Sequence, residues 1–126
     1  MQIRKLTALF FILALAGCTS SGELSAPTLA EHRQVNDVAI ETTIAEIKVL
    51  NGELCPVDGQ GRLLIFSGTA TGPEDGSRLT VNGVDLTPGL TFETGDQIFL
   101  DDGFECGGEH FDNAIHSVTK SIFLND

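Results

Sequence analysis

Turn residues recur so often between Gly72 and Gly103 that only short strands fit between them. Gly72-Pro73-Glu74-Asp75-Gly76, Pro88-Gly89, Gly95-Asp96 and Asp101-Asp102-Gly103 each supply what a reversal needs: glycine for positive φ, proline for a fixed φ, aspartate to bond free amides. Asn82-Gly83 is the most specific of these signals, because both central residues of a type I′ hairpin turn need positive φ and Leu79-Thr80-Val81 and Val84-Asp85-Leu86 flank it. Apolar runs lie at Arg62 to Ala70, Leu90 to Glu93, Gln97 to Leu100 and about Ser117 to Leu124. The expected fold is mainly β, a small antiparallel β-barrel or β-sandwich of about six or seven short strands.

The stretch from Val35 to Leu50 fits two periods. Val38, Ile40 and Ile44 alternate with Ala39, Glu41 and Thr43, and the phase then shifts to Ala45, Ile47 and Val49, as a strand with a bulge requires. Ile40, Ile44 and Ile47 also stand at helical spacing. The number of β-branched side chains, Val38, Ile40, Thr42, Thr43, Ile44, Ile47 and Val49, favours the strand.

At the start of the chain, Arg4-Lys5 precede an apolar run of 11 residues from Leu6 to Ala16, and Leu15-Ala16-Gly17-Cys18 follow. The run is too short to span a bilayer as a helix, and its flanks follow the pattern of a secretory signal. This N-terminus resembles a bacterial lipoprotein signal peptide, over residues 1–18 only. The resemblance implies cleavage before Cys18, a lipid thioether on Cys18, and anchoring in the cell envelope. Where inner-membrane members of that family carry Asp after the lipidated cysteine, this chain has Thr19, which implies the outer membrane of a Gram-negative cell. The competing reading is an ordinary cleaved secretory signal in which Cys18 is incidental. The expected organisation is a signal peptide at 1–17, a lipidated cysteine with a flexible tether at 18–34, rich in serine with Gly22 and Pro27, and a β domain at 35–126.

Once Cys18 is assigned to the anchor, Cys55 and Cys106 remain as an even pair in an oxidising compartment, and a disulfide between them is expected. Closing a loop of that length stabilises a fold by about 4 kcal/mol in the chain-entropy model. Loss of the signal also removes Arg4 and Lys5, so five basic residues face 18 acids, a net −13. A charge of that sign disfavours nucleic acid and anionic headgroups as partners.

Two clusters could carry function. Between Arg78 and Lys120 there is no Lys or Arg, while Asp96, Asp101, Asp102, Glu105, Glu109 and Asp112 fall there with Asp85 and Glu93. Such a field suits a basic protein partner or, failing that, a solvated face. Asp101-Asp102-Gly103 departs from the calcium-loop pattern. The second cluster, Cys106, His110 and His116 with Cys55, could supply four soft or borderline ligands to Zn²⁺, at a spacing that matches no strong zinc signature. No Gly-x-Ser-x-Gly elbow surrounds Ser67 and no phosphate loop occurs.

The leading expectation is therefore a lipid-anchored envelope protein whose non-catalytic β domain, with no cofactor, binds or braces another envelope protein. A metal-binding lipoprotein using Cys55, Cys106, His110 and His116 is one alternative. A small hydrolase of surface polymers, with His110 or His116 as base, is the other.

Overall fold

The computed structural model describes residues 22–30, 39–119 and 121–124, and every regular element among them is a strand. The strands are β1 (Glu23–Ser25), β2 (Ile40–Thr43), β3 (Glu46–Leu50), β4 (Glu53–Val57), β5 (Leu63–Phe66), β6 (Ala70–Pro73) and β7 (Leu79–Val81). They continue as β8 (Val84–Leu86), β9 (Thr91–Thr94), β10 (Gln97–Leu100), β11 (Phe104–Cys106), β12 (Glu109–Phe111), β13 (Ala114–Ser117) and β14 (Phe123–Leu124). The main sheet follows the order β10-β13-β5-β4-β1-β6-β7-β8, with β3 on the other side of β4. Its ends do not meet, so it is an open half-barrel rather than a closed one. A three-stranded sheet, β14-β9-β2, and the β11–β12 hairpin complete the domain.

The expectation of six or seven strands was too low because several runs read as continuous are broken. Val35 to Leu50 is extended where it is described, as expected, but the chain leaves one sheet for another at Ile44-Ala45: β2 pairs with β9, and β3 with β4. The phase shift of the apolar pattern marks that crossing. Arg62 to Ala70 bends at Ser67-Gly68, where Gly68 has φ 95°. Asn82 fixes this bend, its Nδ2 donating to Ser67 O at 2.8 Å and its Oδ1 accepting from the Thr69 amide at 3.0 Å. Ser117 to Leu124 is not one strand but the end of β13 and the whole of β14. Asn82-Gly83 forms the expected hairpin between β7 and β8, with φ of 50° and 86°. Asn51-Gly52 does the same between β3 and β4, with φ of 47° and 80°.

Side chains alternate between two cores. Leu54, Leu64, Phe66 and Ile115 face one side, where Phe92 of the smaller sheet and Ile44, just beyond β2, cover them. Cys55, Leu63, Ile65 and Ala114 face the other, against Cys106, Phe104 and Phe111 of the β11–β12 hairpin. All four residues of β5 and all four of β13 are consequently buried, which explains the unbroken apolar run Leu63-Leu64-Ile65-Phe66.

The Cys55–Cys106 disulfide, with Cα atoms 6.0 Å apart, fastens that hairpin to β4. The hairpin tip is gripped as well. Asn51 Nδ2 donates to Gly107 O at 2.5 Å, and the Gly107 amide donates to Glu53 Oε1 at 2.7 Å. A Cβ on Gly107, which has φ 62°, would lie 2.4 Å from Leu50 Cβ. Gly107→Ala is expected to destabilise the domain by about 2 kcal/mol or more, measured by denaturant unfolding with the disulfide intact.

The tether expected at 18–34 also needs correction over its described part. Glu23–Ser25 inserts between β4 and β6, pairing with Thr71–Pro73 on one side and with Glu53 on the other. Ala26 is buried, its amide donating to Ala70 O at 2.9 Å, and Thr28 bridges to Phe66. Low apolar content concealed this role, because a central strand of three residues is held chiefly by main-chain bonds. A chain starting at residue 31 is expected to fail to fold, whereas one starting at residue 20 unfolds in a single transition. Near-ultraviolet circular dichroism and urea melts of the two forms distinguish these outcomes.

Candidate functional site

Between β2 of the smaller sheet and the β5–β13 face of the main sheet lies a cleft of about 230 Å³. Leu64 and Ile115 line it from the face they share across the parallel β5–β13 pair. Glu41, Thr42 and Thr43 of β2 form one wall, and the β4–β5 turn, Asp58 to Arg62, another. Gln97 of β10 closes the end, its Nε2 donating to Thr42 Oγ1 at 2.8 Å.

Asp58 organises the turn. Its Oδ1 accepts from the amides of Gln60 and Arg62, both at 2.9 Å, and its Oδ2 accepts from Arg62 Nε at 2.7 Å. Burial pushes the Asp58 carboxyl up, but the Arg62 amide, the Arg62 guanidinium and the Gln60 amide together outweigh it and hold the group below its ordinary value of 3.8. The pairing also points Arg62 across the sheet, where its guanidinium carbon lies 5.8 Å from the ring centre of Phe99 on β10. Sequence reasoning missed this turn. The available signal was an aspartate opening Asp58-Gly59-Gln60-Gly61-Arg62, with a cation four residues on.

Of the six acids singled out in the sequence, five lie around one end of β10 and the hairpin beside it. Asp101 and Asp102 form the β10–β11 turn, Glu105 and Glu109 lie on β11 and β12, and Asp112 follows β12; all five are exposed. Asp101 and Asp112 also line a cavity of about 350 Å³, with Phe99, Leu100 and Arg62. Asp96 stands apart at the other end of β10 and is structural: its Oδ1 accepts from the Gln97 amide at 3.0 Å, and its carbonyl accepts from the Val118 amide at 2.9 Å.

The alternative ligand set is not assembled. Both thiols are spent in the disulfide. His110 is half-exposed on β12, 3.8 Å from Asp112, and His116 is buried in β13. Among the described residues no three of His, Cys, Asp and Glu gather as a metal site. The stretch from Glu105 to His116 comprises most of the β11–β12 hairpin and the first residues of β13.

His116 does meet a serine, with Ser67 Oγ 3.0 Å from His116 Nε2. Ser67 Oγ also donates to Ser117 O at 3.1 Å, so the hydroxyl is shared between the ring and the main chain. Both side chains are buried, away from either cavity. This contact polarises nothing that a substrate can reach; it satisfies two polar groups inside the sheet. Cys18 lies outside the described residues.

Because the folded-state value of Asp58 is depressed, its contribution to stability is fully present above the unfolded value of 3.8 and fades as the pH falls through the lower folded value. Asp58→Asn is expected to cost about 1–3 kcal/mol at neutral pH. That difference should shrink as the pH falls through the lower folded value, where the wild-type carboxyl takes up its proton too. Urea unfolding of both proteins across that pH range gives the comparison.

Comparison with known proteins found no family model that matches the chain, no curated protein that matches it and no solved structure that does.

Proposed function

We propose that this chain is a lipid-anchored protein of the cell envelope whose β domain is a non-catalytic binding module for a basic protein partner. The observation that carries the reading is the run of exposed acids along the β11–β12 hairpin, with Asp101, Asp102 and Asp112 at its base, Glu105 on β11 and Glu109 near its tip, on elements that the disulfide and the gripped Gly107 hold in place. The nearest cation, Arg62, is already neutralised by Asp58. A fixed field of one sign accelerates encounter with a partner of the other and discourages pairing with like-charged surfaces.

Anchoring rests on Arg4-Lys5, the apolar run and Leu15-Ala16-Gly17-Cys18. The fold adds a geometric consequence. The sheet begins at Glu23, five residues beyond Cys18, so a lipidated Cys18 keeps β1 within about 17 Å of the bilayer even with the intervening chain fully extended. The module would work close to the membrane surface, in the outer membrane by the identity of Thr19.

Cells fed labelled palmitate are expected to mark the wild-type chain and not Cys18→Ser. Partner capture from envelope extracts should fall steeply as salt rises from about 50 to 500 mM, since exposed charges are screened over that range. Capture indifferent to salt would exclude the electrostatic reading.

A further inference from the structure

β10 ends the main sheet and differs from the edge strands β3 and β14. Its only strand partner among the described residues is β13. The Val118 amide donates to Asp96 O, which makes Gln97 and Ser117 a non-hydrogen-bonded pair. Ile98 and Leu100 therefore direct their main-chain groups at β13, while Gln97 and Phe99 turn theirs outward. Gln97 N–H is capped by Asp96 Oδ1. Among the described residues, the amide and carbonyl of Phe99 and the carbonyl of Gln97 have no strand to pair with.

Natural sheets blunt such edges with lysine, proline, a bulge or extreme shortness. β3 carries Lys48, with the Gly76 turn packed close to Ile47 O, and β14 is two residues long. β10 reads Gln-Ile-Phe-Leu, has none of these devices, and exposes 62% of Phe99. Acids stand at both of its ends, Asp96 before it and Asp101-Asp102 after it, with Asp112 alongside. Antiparallel pairing with a second copy would set Asp96 of each chain near Asp101 of the other, which like-charge repulsion opposes. A basic strand meets the opposite situation.

We infer that β10 is a docking strand, to which an extended, lysine- or arginine-bearing segment of the partner adds as a further strand. The inference rests on the binding-module reading and names the surface and the chemistry. Main-chain bonds to Phe99 and Gln97 would supply register, the exposed part of the Phe99 ring an apolar contact, and Asp101 and Asp112 a charge partner for a basic side chain in a cavity whose own cation, Arg62, is paired with Asp58.

The test uses the full-length protein in detergent and a synthetic peptide of alternating lysine and valine, with glutamate–valine and backbone N-methylated versions as controls. Only the unmodified basic peptide is expected to bind, slowing hydrogen exchange at the Phe99 amide. Phe99→Pro removes the outward amide without touching the β13 ladder, a position at which edge strands accept proline. It should weaken binding by about tenfold or more. Phe99→Ala, which keeps the amide, should retain protection at residue 99 with weaker affinity. Equal binding of the N-methylated peptide, or protection on other strands, would overturn the docking strand. If no peptide binds while salt-sensitive partner capture persists and survives Phe99→Pro, the docking strand fails and the binding module stands. Loss of salt-sensitive capture from the wild type removes both.

Discussion

Leu63, Leu64, Ile65 and Phe66 point alternately to opposite sides of the sheet, yet all four are buried, and the same holds for the four residues of β13 beside them. A strand pair with no solvent face obliges the rest of the chain to supply two covers. On one side the cover is the β14-β9-β2 sheet with Phe92 and Ile44; on the other it is the β11–β12 hairpin with Phe104 and Phe111. Neither is large. A hairpin of two three-residue strands has little stability alone, which is why it is bonded covalently to β4 and gripped at Gly107 through Asn51 and Glu53. The turn chemistry of β3–β4 thus determines whether the second core stays covered.

The acidic run inherits its rigidity from that arrangement. Carboxylates on a loose loop would move apart and dilute their field. Here Glu105 and Glu109 lie on paired strands, and Asp101, Asp102 and Asp112 lie next to them. Arg62, brought in from the β4–β5 turn, lies over Phe99 without cancelling the field because Asp58 holds its charge.

The mainly β fold, the disulfide and the Asn82-Gly83 hairpin were legible in the sequence because each depends on local chemistry: turn residues, β-branching, an even pair of cysteines. The phase shift near Ile44 was legible too, although its meaning, a change of sheet, required the partners to be known. What stayed hidden depends on long-range pairing. Glu23-Leu24-Ser25 has no pattern of its own and is a strand because β4 and β6 leave a gap between them. His116 looked like a ligand by its neighbours in sequence, but strand alternation sends it into the sheet toward Ser67, 49 residues away. Asp58 had a readable turn around it, whereas its hold on the position of Arg62 over Phe99 spans elements that nothing in the sequence places together.

The insertion of β1 also has a mechanical meaning. Tension reaching the domain through the residues before Gly22 is delivered along β1, between β4 and β6, instead of at a sheet edge. Its three register pairs with β6 then share the load together and must slide rather than open one after another. A sheet loaded in shear at its middle resists being drawn out far better than one peeled from the side, so drag on the domain is taken up inside the sheet and not at its edge.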